Sequence, residues 1–339
     1  MSLMLEETRN APQRIHGQLS RNAEMLDALG ARLREQPPLA GMTVARGSSD
    51  HAAAYFAYLC MKRLGMPVAS LPPSLSTLSH APWRVAGQLA IAISQSGQSP
   101  DLVAAQQALS RGGAQTLALV NTPQSPLGQA SDAEVALFAG EERSVAATKS
   151  YLATLSVAAQ LLACWTRDAS LLSGLDALPD RLEQAVEQDW GTAVEALVDA
   201  DRLMVIGRGS GLAVAQEAAL KFKETCGIQA EPFSGAEVRH GPMALIEDGY
   251  PVLVFAPPGA EQAGLLELAD WLGEAGARVL LAADESVARR HLTLADAGHD
   301  DLQPLAVIQS FYRMVAELAD ARGSDPDKPR HLRKVTRTL

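Results

Sequence analysis

Glu217, Lys221 and Glu224 stand at intervals of four and three, the spacing that gathers side chains on one face of a helix. Ala218, Leu220 and Phe222 favour that helix, and Gly227 is placed to end it. Taken alone, a Glu-to-Lys ladder is usually a solvated helix surface. Its neighbours argue for chemistry instead. Val205 and Ile206 run into the glycine-rich turn Gly207-Arg208-Gly209-Ser210-Gly211 ahead of the helix, and ligands of open α/β sheets collect where strands end in such turns. Beyond the helix come an apolar, strand-like piece and then His240-Gly241-Pro242 in a loop, where an imidazole is harder to dismiss as core. The alternative for His240 is a core histidine bonded to backbone. A carboxylate, an ammonium and an imidazole at one strand-end crevice are equipment for moving protons on a sugar.

A second constellation suits an anion. The apolar run 88–93 delivers Ser94-Gln95-Ser96-Gly97-Gln98-Ser99-Pro100. Ser99 fits a helix N-cap and Pro100 the first helical position, so the next helix aims its free amides back at this loop. A phosphomonoester carries close to two negative charges and several acceptor oxygens, and Ser94, Gln95, Ser96 and Ser99 supply donors for it at a positive helix end. Such strings also make plain turns; the strand before and the Ser99-Pro100 start after it give this one weight.

These groups need strands and helices to hold them. Ile15, Leu19, Met25, Leu26, Leu29 and Leu33 recur at helical intervals, with Pro12 dividing a short arm from a longer helix and Pro37-Pro38 ending it. A strand over 41–45 runs into Arg46-Gly47-Ser48-Ser49, a helix follows over 50–64, and strands are expected over 65–71, 88–93, 115–120 and 134–138, with a helix over 101–112. A long helix is expected to open at Glu141 and reach Trp165, and a further helical stretch to about Asp199 is expected to break near Pro179. The second half repeats the plan. Arg208-Gly209-Ser210 echoes Arg46-Gly47-Ser48, strands fall over 251–255 and 278–282, and a last amphipathic helix spans 304–321. Alternating strands and helices predict an α/β fold of two tandem doubly wound parallel sheets. Ala256-Pro257-Pro258-Gly259 stands where the first half has Ser94-Gln95-Ser96-Gly97, so a single phosphate site per chain is expected. The divisions are a helical arm over 1–37, a phosphate-binding domain with linker helices over 38–185, a second domain over 186–324 and a tail over 325–339.

Composition narrows the function classes. With 339 residues, 47% of them hydrophobic and only 4% aromatic, the chain has material for two ordinary globular domains of helices packed on parallel sheets. A net charge of −10 argues against a nucleic-acid surface and against anionic membranes. Cys60, Cys164 and Cys226 have neither pair nor metal spacing and read as reduced core thiols of a cytoplasmic protein. The start at Met1 shows no signal-peptide design, and no apolar run approaches membrane length. No metal cluster is evident, and Gly207 to Gly211 only partly mimics a dinucleotide turn, so no cofactor is expected.

The stretches Ala218-Ala219-Leu220-Lys221-Phe222-Lys223-Glu224 and Glu237-Val238-Arg239-His240-Gly241-Pro242 resemble the isomerase half of glutamine–fructose-6-phosphate amidotransferase, a tandem of two sugar-isomerase (SIS) domains. The likeness runs over about 41–336. It implies two flavodoxin-like three-layer sandwiches, with Glu224 transferring a proton between C1 and C2 and His240, contributed by a neighbouring subunit of a homodimer, opening the sugar ring. It also implies that Lys334 forms a Schiff base with the open-chain ketose, that Glu217 and Lys221 hold the sugar end, and that the tail folds over the site. The phosphate would be held by Ser94, Gln95, Ser96 and Ser99 together with Ser49, Val145 and Ala147. Ala147 departs from the family's serine, and Arg46 replaces a cysteine; Arg46 either adds positive charge near the sugar or pairs with Asp50. Lys149 is given a structural role near the phosphate loop.

The amidotransferase draws ammonia from a glutaminase domain that begins with a cysteine, and this chain begins Met1-Ser2. The stretches 46–51 and 144–150 are similar to stand-alone SIS-type glucosamine-6-phosphate deaminases. The resemblance therefore implies conversion of glucosamine 6-phosphate to fructose 6-phosphate and ammonia. The alternatives are a deglycase acting on phosphorylated fructose–amino acid conjugates, a broader phosphosugar isomerase, or a phosphosugar sensor without turnover.

Overall fold

The computed structural model describes residues 2–334. The chain opens with α1 (Leu3–Glu35), a single helix with Pro12 inside it. Proline was expected to divide this segment; it removes only one backbone bond, and buried Ala11 and Ile15 on either side hold the helix through the gap.

The elements then follow as β1 (Gly41–Val44), α2 (Ser48–Leu64), β2 (Val68–Ser70), α3 (Ser74–Thr77), β3 (Leu89–Ser94), α4 (Pro100–Arg111), β4 (Gln115–Val120), α5 (Pro126–Gln129), β5 (Ala133–Ala136) and α6 (Lys149–Thr166). The five strands form one parallel sheet in the order β2-β1-β3-β4-β5. Every residue of β1 and β3 is buried, as strands covered on both faces require. Val44, Ala92 and Val120 pack with Leu102 and Leu109 of α4 on one face. Helix α6 is buried on all sides, which explains its almost uniformly apolar sequence. It starts at Lys149 rather than Glu141, because 141–148 is held as an irregular loop by side chains described below.

The second half comprises α7 (Ala169–Val186), α8 (Gly191–Leu197), β6 (Arg202–Gly207), α9 (Gly211–Lys221), a π turn (Phe222–Cys226), β7 (Gln229–Ser234), two 3-10 turns (Val238–His240 and Pro242–Leu245), β8 (Pro251–Ala256), α10 (Gln262–Glu274), β9 (Arg278–Ala283), β10 (Leu292–Thr293), a 3-10 turn (Asp300–Leu302) and α11 (Gln303–Ala321). Pro179 does not break α7; the interruption lies after Val186, ahead of α8. The second parallel sheet runs β10-β9-β8-β6-β7. Numbered within each half, both sheets have the strand order 2-1-3-4-5, the doubly wound pattern of a duplicated unit. The strand-to-helix corners match too: Gly47 and Gly209 both take positive φ, at 54° and 60°.

The chain divides into two compact units, each centred on one sheet. The first-sheet unit contains Gln13–Glu142, Lys149–Asp176 and, of the described tail, Arg333 and Lys334. The second-sheet unit contains Met1–Pro12, Arg143–Thr148 and Ala177–Leu332. Among the described residues no helix is long and apolar enough to cross a membrane.

Candidate active site

In the first-sheet unit, the loop after β3 is held open by its own side chains. Ser94 Oγ accepts from the Gly97 N–H at 3.1 Å, and Ser96 Oγ accepts from the Gln98 N–H at 3.3 Å. A hydroxyl that accepts keeps its proton for another partner, so both serines remain donors toward an anion. Gly97 has φ +63°, and a Cβ there would lie 2.1 Å from Ser125 Oγ; only glycine lets the loop turn this tightly. Ser99 is the N-cap of α4 with Pro100 at the first position, and its hydroxyl makes no capping bond. Ser49 lies in the first turn of α2. Because β1 and β3 are parallel neighbours, both helices start at the same sheet edge, and both positive ends belong to it.

Arg46 ends the β1 corner and is tied to Asp101, not to Asp50. Its Nη2 lies 2.9 Å and its Nε 3.3 Å from Asp101 Oδ2. Asp101 is fully buried in the first turn of α4, where an uncompensated carboxylate would repel a phosphate, while the Arg46 side chain is 51% exposed. Asp50 instead accepts from the Ser70 hydroxyl at 3.3 Å.

Lys334 belongs to the same unit, and its Nζ lies 3.0 Å from Glu142 Oε2. Glu142 is buried and accepts from the Ser150 N–H at 3.1 Å and the Ser150 hydroxyl at 2.7 Å, at the start of α6. Lys149 donates to the Glu141 carbonyl, consistent with a structural role.

In the second-sheet unit, β6 turns into α9 at Gly207, where a Cβ would lie 2.2 Å from the Gly211 carbonyl oxygen. Helix α9 then widens by one residue. The Gly227 N–H reaches back five residues to the Phe222 carbonyl, and Gly227 is left-handed, as a terminating glycine should be. Such π turns concentrate at functional sites, and this one carries Glu224. Lys221 Nζ lies 3.1 Å from Glu217 Oε1 and 2.6 Å from Glu224 Oε2. The Lys221 and Glu217 side chains are 1% and 0% exposed, while Glu224 is 20% exposed. The ladder is therefore a buried cluster with one carboxylate reaching solvent. Burial opposes the charge on Lys221, but the attraction and hydrogen bonds of Glu217 and Glu224 outweigh it and hold the lysine above its ordinary range.

Glu224 opens on a cleft of about 1050 Å³ lined also by Lys223, Asp199, Lys328, Arg330 and Leu332. Residues of the described tail up to Leu332 thus form part of the cleft wall. The tail's Asp327 carboxylate accepts from the Leu3 and Met4 N–H groups, each at 2.7 Å, and its carbonyl from the Val145 N–H at 3.4 Å. Glu7 accepts from the Arg143 and Ser144 N–H groups at 2.6 and 3.3 Å. These bonds keep 143–148 irregular and hold Val145 and Ala147 half-buried. His240 is exposed on a 3-10 turn, its N–H donating to the Glu237 carbonyl at 2.9 Å; it is not a core histidine.

The sequence matches the SIS domain family over residues 42–164 and 196–294, more than half of the chain. This chain belongs to the SIS domain family. It is 31% identical to glutamine–fructose-6-phosphate aminotransferase (isomerizing) of Thermococcus kodakarensis over 350 residues, covering 98% of this chain and 57% of that protein. With the same enzyme of Methanothermobacter thermautotrophicus it shares 34% over 299 residues, 86% of this chain and 50% of the relative. The SIS chain thus spans about half the length of these curated relatives. Among solved structures, a provisionally named phosphosugar isomerase from Silicibacter pomeroyi has a TM-score of 0.92 and 42% identity, covering 96% of this chain and 100% of that one. Glucosamine-6-phosphate deaminase from Thermotoga maritima, at 20% identity and a TM-score of 0.78 over 99% of this chain and 100% of that one, shares the fold.

Within the SIS framework the expected residues fall into three groups: Ser49 with the 94–99 loop at one sheet edge, Lys334 on Glu142, and Glu217, Lys221 and Glu224 in one buried cluster. His240 has no described bond to that cluster. Four further residues support these groups without a local signal in the sequence: Asp101, Glu142, Tyr312 and Arg322. The Tyr312 hydroxyl donates to Glu217 Oε1 at 3.0 Å across a separation of 95 residues. Arg322 binds the Cys226 carbonyl at the end of the π turn at 3.0 Å and the Ala200 carbonyl after α8 at 2.9 Å. Such pairings are visible only once the chain is folded. Among the described residues no group of three or more His, Cys, Asp or Glu side chains is placed to hold a metal.

Proposed function

We propose that this SIS protein is a phosphosugar aldose–ketose isomerase that deaminates glucosamine 6-phosphate to fructose 6-phosphate and ammonia. The observation that carries the reading is Glu224, the one member of a buried carboxylate–ammonium cluster that reaches the cleft. Lys221 fixes its carboxylate, so one oxygen is tied and the group faces substrate in one orientation. Resemblance of 46–51 and 144–150 to stand-alone deaminases supports ammonia release over the synthetic direction.

In this scheme the domain over 38–185 holds the phosphate through Ser94, Gln95, Ser96, Ser99 and Ser49, with Val145 and Ala147 beside the sugar. The domain over 186–324 supplies the proton chemistry, and the tail over 325–339 supplies Lys334. His240, from the second copy of a homodimer, protonates the ring oxygen as the ring opens. Glu224 removes the C2 proton of the open-chain amino aldose, giving an enolamine, and returns it to C1. The product is the imine of fructose 6-phosphate; water adds at C2, and ammonia leaves with the ketone. Lys334, once it has left Glu142 and lost a proton, adds reversibly to that C2 ketone with expulsion of water, and hydrolysis of the resulting Schiff base returns the amine and releases fructose 6-phosphate. Three free, buried cysteines support placing the protein in the reducing cytoplasm.

The test is incubation with glucosamine 6-phosphate, scoring ammonia and fructose 6-phosphate. Glu224→Gln is expected to lower kcat by about 100-fold or more with substrate still bound, and Lys334→Ala to abolish a borohydride-trapped adduct. Selective cleavage of a fructosyl amino acid 6-phosphate would replace the deaminase with a deglycase. Tight sugar binding without turnover of any such substrate would mark a sensor.

A further inference from the structure

The cluster behind Glu224 has a fourth member. Tyr312 sits on α11, fully buried, and donates to the same Glu217 oxygen that faces Lys221: 3.0 Å from the phenol and 3.1 Å from the ammonium. Lys221 then reaches Glu224 at 2.6 Å. Tyr312 is carried on a helix docked against the π turn itself: Phe311 meets Phe222 edge to face at 5.1 Å, and Cys226 Sγ lies 3.6 Å from the Val315 carbonyl. The phenol and the Glu224 turn are therefore held in one frame.

Charge makes this link consequential. Two carboxylates share one ammonium; Glu217 and that ammonium are closed to water, while Glu224 reaches the cleft. Any donor that helps satisfy Glu217 frees Lys221 to close on Glu224, and loss of that donor draws Lys221 back toward the carboxylate that no water reaches. We propose that Tyr312 is a positioning residue for Glu224, acting through Glu217 and Lys221 to set how firmly the ammonium holds the base. The proposal rests on Glu224 being the proton-transferring group. It accounts for a phenol at a fully buried position of α11, where a phenylalanine would fill nearly the same volume.

Tyr312→Phe in the full chain tests it, with circular dichroism to show that the fold is kept. The expected result is a fall in kcat of about tenfold with KM within roughly twofold, because orientation of the base is lost and substrate contacts are not. Glu217→Gln alone should lower kcat too, and adding Tyr312→Phe to it should cost nothing more, because the phenol acts only through Glu217. Additive losses would mean that Tyr312 merely packs, and would overturn the proposal. A second readout is independent of turnover: carbodiimide-promoted coupling of an amine to Glu224, followed by peptide mass, should speed up by roughly threefold in Tyr312→Phe as the tie to Lys221 loosens. An unchanged labelling rate overturns the proposal. Should the wild type convert no phosphosugar, the functional reading fails, while the labelling experiment still decides the role of Tyr312.

Discussion

At the residue scale, the cost of breaking the cluster is set by burial. Lys221→Met would leave Glu217 in a site closed to water without its ammonium, a loss of about 3–5 kcal/mol by analogy with other buried pairs, read by chemical denaturation. Its pH dependence has a definite sign. The folded-state value of Lys221 is raised, so its contribution is fully present below the unfolded lysine value of about 10.4 and is lost as pH climbs through the folded value. The cluster should hold its stabilising effect through the neutral range and yield only in strong alkali. Cys226, two residues from Glu224, offers a separate check. Burial pushes its thiol up to about 11, against smaller opposing effects of the Thr225 hydroxyl and Arg322, and burial raises Cys60 as well. The thiolate is the reactive form. Native protein at pH 8 should therefore take up iodoacetamide at neither position during a time in which the unfolded chain is fully labelled.

At the element scale, the proposed phosphate loop depends on glycine and on two helix starts. Gly97→Ala would force a methyl group onto Ser125 at a left-handed backbone position, a strain of about 1–3 kcal/mol. Thermal unfolding should register that loss, and the variant should bind fructose 6-phosphate more weakly than the wild type in calorimetry. The starts at Ser99-Pro100 and at Gly227's helix end were legible because caps and terminators are local chemistry. Pro12 and Pro179 misled for the converse reason. A proline signals a break from its missing N–H, yet packing on neighbouring turns sustains both helices around it. The start of α6 also lay beyond local rules, since Glu7 and Asp327 hold the preceding loop through contacts remote in sequence.

At the scale of the whole molecule, duplication preserved the strand order and divided the chemistry. Both sheets run 2-1-3-4-5 within their halves, but the loop after β8 offers Ala256, two prolines and Gly259 where the loop after β3 offers Ser94, Gln95 and Ser96. Titration with fructose 6-phosphate should therefore saturate at one sugar per chain, and Ser94→Ala with Ser96→Ala should remove that site; a stoichiometry of two would show that the second sheet kept a phosphate site without hydroxyls.

The sequence by itself determined the α/β class, the internal repeat, the serine loop and the shared face of Glu217, Lys221 and Glu224, because each is written in the periodicity or turn chemistry of a few adjacent residues. Tertiary structure alone decided that this face is buried, that a π turn carries Glu224, that Arg46 meets Asp101 rather than Asp50, and that Tyr312 and Glu142 stand behind the charged groups. Burial and ion pairing depend on what the rest of the chain packs against a side chain, and partners many residues away leave no local pattern.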